Sequence, residues 1–485
     1  MVLDISTSKA SNTSNQIDPL VKVETPSEVF GWVASDLLSL REEDRPFQFY
    51  VWIPSWSDVK WNHAVTFTMN TVVSRSGSLQ FPTMLANGWL QRWDIRELVP
   101  NEKLHPIIMR EVLKLYATDP YFHDVRDGSI DFLVFEQLLP IISELPDTDT
   151  PVVRADWFVV KALTSIEGGR YLELRGLIDS EEASLARVGA FEAQAIAVDG
   201  DRRVGMFQSK VTGKARSVLA LNTFVGRAWI TEDIFDEDVD ESRHPIYNLI
   251  DNNYRGREII AEMANGLHLF LITDDKGTIL REAPPQLVTD HRVPSPNTDR
   301  LQAGAISCIR CHAEESGLRS CDNDVAKLLA GPLVLNGERQ FVDDVTTRYS
   351  GRDFDRHLLL GREDYEATID RLTQGEMDVV KLSQLLSDIY SQYRYELVTP
   401  EKALREAGVD MEGVDPFVEP VLIFREFLAI DSSSNGLLSL EDPSIAALSS
   451  NIPIRRSDFE RIHPRLAYRI ALIRSRLAQT YRSVE

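Results

Sequence analysis

Cys308 and Cys311 stand three positions apart and His312 follows at once, in the run Cys308-Ile309-Arg310-Cys311-His312. On a helical turn that spacing aims both sulfurs to one side. Two thiols held so can add across the vinyl groups on one edge of a porphyrin, and the adjoining imidazole then reaches the iron as proximal ligand. The only other cysteine is Cys321, so all three lie within residues 308–321, which marks a local site rather than a disulfide framework. The pattern predicts one covalently held haem c, bound through Cys308 and Cys311 with His312 on the iron. The competing chemistry is a structural zinc ion on Cys308, Cys311, His312 and Cys321, four ligands of suitable type, in a protein that acts as a scaffold. Adjacent Cys311 and His312 fit a tetrahedral ion poorly, because zinc ligands usually come as two separated pairs. An inert or redox dithiol is the third option.

A second iron ligand has to come from elsewhere in the chain. His268, His291, His357, Met263, Met377 and Met411 have suitable side chains, and Met377 lies 65 positions beyond His312, a return distance that suits a small cytochrome. With no such ligand the iron would stay open, which favours ligand or peroxide chemistry over electron transfer and makes a haem enzyme the further alternative. Asp431-Ser432-Ser433-Ser434-Asn435-Gly436-Leu437-Leu438-Ser439-Leu440-Glu441-Asp442 follows the spacing of a calcium loop. Asp431, Ser433 and Asn435 would offer side-chain oxygens, Leu437 its carbonyl and Asp442 the closing carboxylate, with Gly436 at the sharp turn. Asp431 and Asp442 are the only carboxylates at its ligand positions, so any calcium affinity is expected to be weak.

A formal charge of −23, from 52 basic and 75 acidic residues, opposes binding to nucleic acid, which needs clustered Lys and Arg. The expected partner is a redox protein. The longest apolar stretches fall well short of the roughly 18 residues of a membrane span, so no transmembrane segment is expected. Residues 1–16 show neither a basic start nor an apolar stretch of secretory type. Haem is attached to this motif outside the cytoplasm, so the expected location is periplasmic or otherwise exported, with an export signal encoded upstream of Met1; a cytoplasmic location is the alternative. Phosphate-binding glycine loops, His-Glu-x-x-His and Gly-x-Ser-x-Gly do not occur in the sequence.

The elements that must position the motif are readable in outline. Residues 1–25 are polar and small, and read as a disordered tail. Apolar spacing predicts helices over 27–40, 56–74, 106–118 and 131–145, while Trp89 to Arg96 alternates as a strand does, and Phe47 to Ile53 is a strand or a buried helix start. Pro146 to Pro151 reads as a linker, and the acidic run Ile234 to Glu241 as a solvated loop. Leu267 to Leu280 reads as a hairpin that turns at Asp274-Asp275-Lys276-Gly277. Beyond the cysteines, helices are expected over 325–335, 365–373, 379–393, 400–407 and 456–481.

Arg257 to Ile260, Asn265-Gly266-Leu267, Asp274 to Gly277 and Gly304 to His312 together resemble a group of large bacterial cytochrome-c-like proteins with a single CxxCH. In that group an Asn-Gly-Leu strand and a glycine turn precede the haem motif. Asp94 to Leu98 and Arg154 to Phe158 resemble further segments of it, so the likeness runs from about residue 80 to 410. The resemblance implies an exported haem protein of unassigned activity. The expected class is α+β, predominantly helical: a helical part over 26–150, a mixed part over 151–300, a cytochrome-c-like haem segment over 301–410 and a helical segment with the calcium-like loop over 411–485. The expected function is electron transfer, alone or as the haem subunit of a redox complex.

Overall fold

The computed structural model describes residues 26–54, 56–121, 152–177, 180–187, 202–208, 215–233, 247, 249, 254–282, 304–330, 339–409, 420–422, 424–425, 440–467 and 470. The chain is α+β, with two separate sheets among its helices. The stretches 131–145, 146–151 and 234–241 lie outside the described residues.

After α1 (Pro26–Ser39), β1 (Gln48–Trp52) opens the first sheet, and all five of its residues are buried. A strand covered on both faces has no polar side to alternate with, which is why it is aromatic and β-branched from Phe49 to Trp52. Helix α2 (Trp61–Val72) follows, later than its apolar pattern begins, because a turn over 56–60 takes up the first residues, with Asp58 Oδ1 accepting from Lys60 N at 2.9 Å. Strands β2 (Thr83–Leu85) and β3 (Leu90–Asp94) come next, then the single turn α3 (Ile95–Leu98) and α4 (His105–Tyr116). β4 (Val152–Arg154) then pairs parallel with β1, giving the order β2-β3-β1-β4. The first sheet therefore draws on both sides of the polar stretch at 146–151. Helix α5 (Ala155–Leu163) grows directly from β4 and is buried on nearly every side, as expected of a helix with neighbours all round. It packs against α2.

Short helices α6 (Tyr171–Arg175) and α7 (Glu181–Arg187) lead to the second sheet, a five-stranded antiparallel meander. Its strands are β5 (Arg203–Met206), β6 (Arg216–Asn222), β7 (Arg227–Asp233), β8 (Gly256–Glu262) and β9 (His268–Asp274). Cross-strand charge pairs brace it: Arg216 sits opposite Asp233 and grips its carboxylate at 2.6 and 2.9 Å, and Arg203 donates to Glu232. The β8–β9 turn closes at Asn265-Gly266, where Gly266 N donates to Met263 O at 2.8 Å. β9 ends in the expected turn, with Gly277 at φ +75° and Asp274 Oδ1 accepting from the amides of Lys276 and Thr278, both at 2.8 Å.

Helices then dominate: α8 (Ala305–His312), α9 (Asp324–Ala330), α10 (Arg339–Arg348), α11 (Phe354–Leu372), α12 (Val379–Arg394), α13 (Pro400–Glu406), α14 (Pro443–Ser449) and α15 over 456–467. α11 starts eleven residues ahead of the expected 365, because Leu358 and His357 already turn inward with Tyr365 and Ile369. No helix among the described residues is long and apolar enough to cross a membrane.

A buried ionic cluster ties the first sheet to the C-terminal helices. Arg154, at the end of β4, donates to Asp156 at 2.7 and 2.9 Å and to Glu406 Oε2 at 2.8 Å. Arg456 of α15 grips the same Glu406 at 2.5 and 2.9 Å. Burial would raise the Glu406 carboxyl, but the two guanidiniums outweigh it and hold the group at about 2. Nearby, burial pushes the Asp119 carboxyl up to about 7, although the amides of Tyr121 and Arg154 donate to it.

Candidate functional site

The CxxCH segment forms α8, which opens at Gly304 and closes on His312. Ala305, Ile306, Ser307, Cys308, Ile309 and Arg310 are buried, while Cys311 and His312 at the C-terminal end are half-buried. Separation by three positions puts the Cys308 and Cys311 thiols on one face of the helix, a turn apart. None of the three cysteines is in a disulfide. The helix is wedged between α12, β9 and α5. Ser383 of α12 donates to the Ile309 carbonyl at 3.3 Å. The Tyr171 hydroxyl, from α6, accepts from Phe270 N at 2.9 Å and donates to Phe270 O at 3.0 Å, which locks α6 to β9 beside Cys308.

A tight loop, 313–321, follows His312. Arg319 Nε and Nη2 donate to the Cys311 carbonyl at 3.0 and 2.8 Å, capping the end of α8. Arg362 of α11 clasps the loop from outside, donating to Glu315 at 2.7 Å and to the Leu318 carbonyl at 2.8 Å. Gly317 N donates to His312 O at 3.0 Å. Gly317 has φ +86°, and a Cβ there would stand 2.7 Å from Tyr365 Cδ1 and 3.1 Å from His268 Cε1. That single residue therefore bridges His312 and His268.

His268 opens β9 and is 1% exposed. The Tyr365 ring stacks on it at 4.1 Å and 13°, and Trp229 and Phe270 meet it edge-on at 6.2 Å. Neither of its ring nitrogens has a hydrogen-bond partner among the described residues. Burial first, and the His312 imidazole second, hold it at about 3, so it is neutral.

The remaining candidate ligands lie apart or are engaged. Cys321 faces the second sheet: burial pushes its thiol up to about 11 against the pull of Arg216. No three His, Cys, Asp or Glu side chains among the described residues converge at metal-binding geometry, so Cys308, Cys311, His312 and Cys321 are not gathered into the tetrad a zinc ion needs. His357 Nε2 is taken by Arg202 at 2.6 Å. Met377 is buried in the α11–α12 connection, its amide donating to Thr373 Oγ1 at 3.2 Å. Met263 is buried at the β8–β9 turn, and His291 and Met411 lie outside the described residues. Asp431, Ser433, Asn435 and Leu437 of the calcium-like loop also lie outside them. Asp442 caps α14 through Ser444 N at 3.0 Å and pairs with Arg461 at 2.7 Å and Arg465 at 2.9 Å, so its carboxylate already has cationic partners.

The described clefts lie elsewhere. One, of 360 Å³, is lined by Lys161, Tyr393, Arg394 and Arg455 among others, and a second borders Gly168 and Arg281. Neither is lined by Cys308, Cys311 or His312. The donor set nonetheless suits a haem: two thiols on one helix face, an imidazole at the helix end, and a buried imidazole with unused nitrogens one residue away. The sequence pattern exposed the first three of these. It offered His268 only as one of six candidates, because partnerlessness is a property of the folded neighbourhood. No protein family, curated protein or solved structure matches the chain.

Proposed function

We propose that the chain is a c-type haem protein that serves in electron transfer, alone or as the haem subunit of a redox complex. The observation that carries this reading is the α8 turn, which holds two reduced thiols on one face and ends on an imidazole beside a second, buried imidazole. Each thiol would add its S–H across one porphyrin vinyl group, the sulfur taking one carbon and the hydrogen the other, so no oxidant is required. His312 would hold the iron from the proximal side, and when bound the haem supplies a one-electron couple. Leu318, Ile309 and Tyr171 would keep water from that face, and α12 and β9 would hold α8 still. On this reading residues 301–410 form the haem-bearing segment, the partner is another redox protein, and the protein works in an exported, periplasmic setting, where such haems are attached.

The test is expression together with a haem-maturation system, followed by a denaturing gel stained for haem peroxidase activity. A stained band at the full mass is expected, weakened by Cys308→Ser or Cys311→Ser and abolished by the double change. A colourless band, with one zinc per chain by elemental analysis, would overturn the haem reading.

A further inference from the structure

The 360 Å³ cleft is walled by parts that are fixed from several directions. Lys161 reaches it from α5, Tyr393 and Arg394 from the end of α12, Tyr395 and Leu397 from the connection to α13, and Arg455 from the residue before α15. Val398 N donates to Ile454 O at 2.8 Å and Ile454 N to Val398 O at 3.0 Å, which clamps that connection to the chain entering α15. On the other side Arg170 N donates to Lys161 O at 2.8 Å and Lys161 Nζ to Glu167 O at 2.7 Å, closing the loop after α5 onto its helix. The cleft is thus a preformed concavity, and its volume falls within the range of small-molecule sites, roughly 300–1,000 Å³.

Its charges do not balance. Each acid in the lining is engaged: Glu167 by Arg394 at 2.7 Å, Glu396 by Lys402 at 2.5 Å and Glu460 by the Tyr393 hydroxyl. Arg456 is held by Glu406. Lys161 and Arg455 are not matched in this way. The Lys161 ammonium donates to the Glu167 carbonyl, has two further protons to give and pairs with no carboxylate among the described residues. Burial lowers its pKa against the pull of Glu460 and Glu167. Arg455 is exposed, and its guanidinium has no hydrogen bond or ion pair among the described residues. It also precedes a helix end that already carries partial positive charge, where a cation is unfavourable without an anion beside it. With the paired groups set aside, Lys161 and Arg455 against Glu460 leave one positive charge.

We infer that this cleft binds a small organic carboxylate, its anionic head on Lys161 and Arg455 and its apolar body along Tyr395 and Leu397. A monoanion balances the cleft, whereas a phosphate dianion exceeds the charge on offer and leaves the apolar wall uncovered. The site is separate from α8, and it stands whether or not a haem is attached there.

The test is equilibrium dialysis of the full chain against phenylacetate, its neutral counterpart phenylacetamide and inorganic phosphate, each up to millimolar concentrations. Phenylacetate should bind once per chain, and the other two about tenfold more weakly or not at all, since each lacks either the charge or the apolar body. Arg455→Gln, at an exposed side chain without partners, should weaken phenylacetate by about tenfold, as should Lys161→Met. Arg352→Gln, at an exposed arginine outside the cleft, should leave it unchanged. The inference is overturned if phenylacetate is not retained, if phenylacetamide or phosphate binds as tightly, or if Arg455→Gln has no effect. Should Lys161→Met fail to fold, the three ligands and Arg455→Gln decide the matter.

Discussion

His268, His312 and His463 show how little a histidine's type says until its neighbours are known. His463 of α15 is 1% exposed, meets the Tyr121 ring edge-on at 4.8 Å and donates from Nε2 to the Glu406 main-chain carbonyl at 3.2 Å. Burial first, and then the Arg154 charge, hold it at about 3, below its ordinary 6.5. The unfolded chain therefore binds the proton that the folded chain refuses, and this group's contribution to stability is fully present above about 6.5 and lost as the pH falls toward 3. His463→Gln should flatten that part of the acid limb of a stability-versus-pH curve from denaturant unfolding; an unchanged limb would show that His463 is protonated in the fold. His312 is tested differently. His312→Ala should leave both thioethers intact on the stained gel but shift the Soret band and the spin state, and an unshifted spectrum would place another residue on the iron.

At the level of elements, what each segment buries was legible wherever one face or one run dominated. The alternating run Trp89 to Arg96 forms β3 over Leu90–Asp94 before turning into α3 at Ile95, Pro400–Glu406 forms α13, and the hairpin turn at Asp274 to Gly277 has the positive φ its glycine promised. What the pattern does not carry is contact between distant segments. The loop at 313–321 has no periodicity, and its shape comes from Arg319 and Arg362 gripping carbonyls. Gly317 likewise belongs to no motif in the sequence, yet it has φ +86° and no room for a Cβ between Tyr365 and His268. Gly317→Ala should cost about 1–3 kcal/mol in stability, from backbone strain and the displaced rings together. Denaturant midpoints measure the effect, and a loss below 0.5 kcal/mol, a threshold set at roughly the scatter of ordinary surface changes, would show that the loop yields freely.

Across the whole molecule, the Arg154–Glu406–Arg456 cluster joins the strand that completes the first sheet to the last described helices, over 252 positions of sequence in the case of Arg154 and Glu406. No sequence reading pairs those residues, since each is an ordinary charged side chain in its own segment; burial alone turns them into a structural joint. Both guanidiniums lean on one carboxylate, so removing its charge leaves two buried cations under-compensated. Glu406→Gln keeps the shape and is expected to destabilise the protein by about 3–5 kcal/mol at neutral pH, the range for breaking a buried pair from one side. The pH dependence distinguishes this from simple repacking. Glu406 sits at about 2 in the fold against 4.5 as an ordinary carboxyl, so its stabilisation is fully present above about 4.5 and lost as the pH falls toward 2. The gap between the original protein and Glu406→Gln in denaturant unfolding should therefore be wide at pH 7 and narrow progressively below pH 4.5. A gap that stayed constant down to pH 2 would mean that shape, not charge, accounts for the loss.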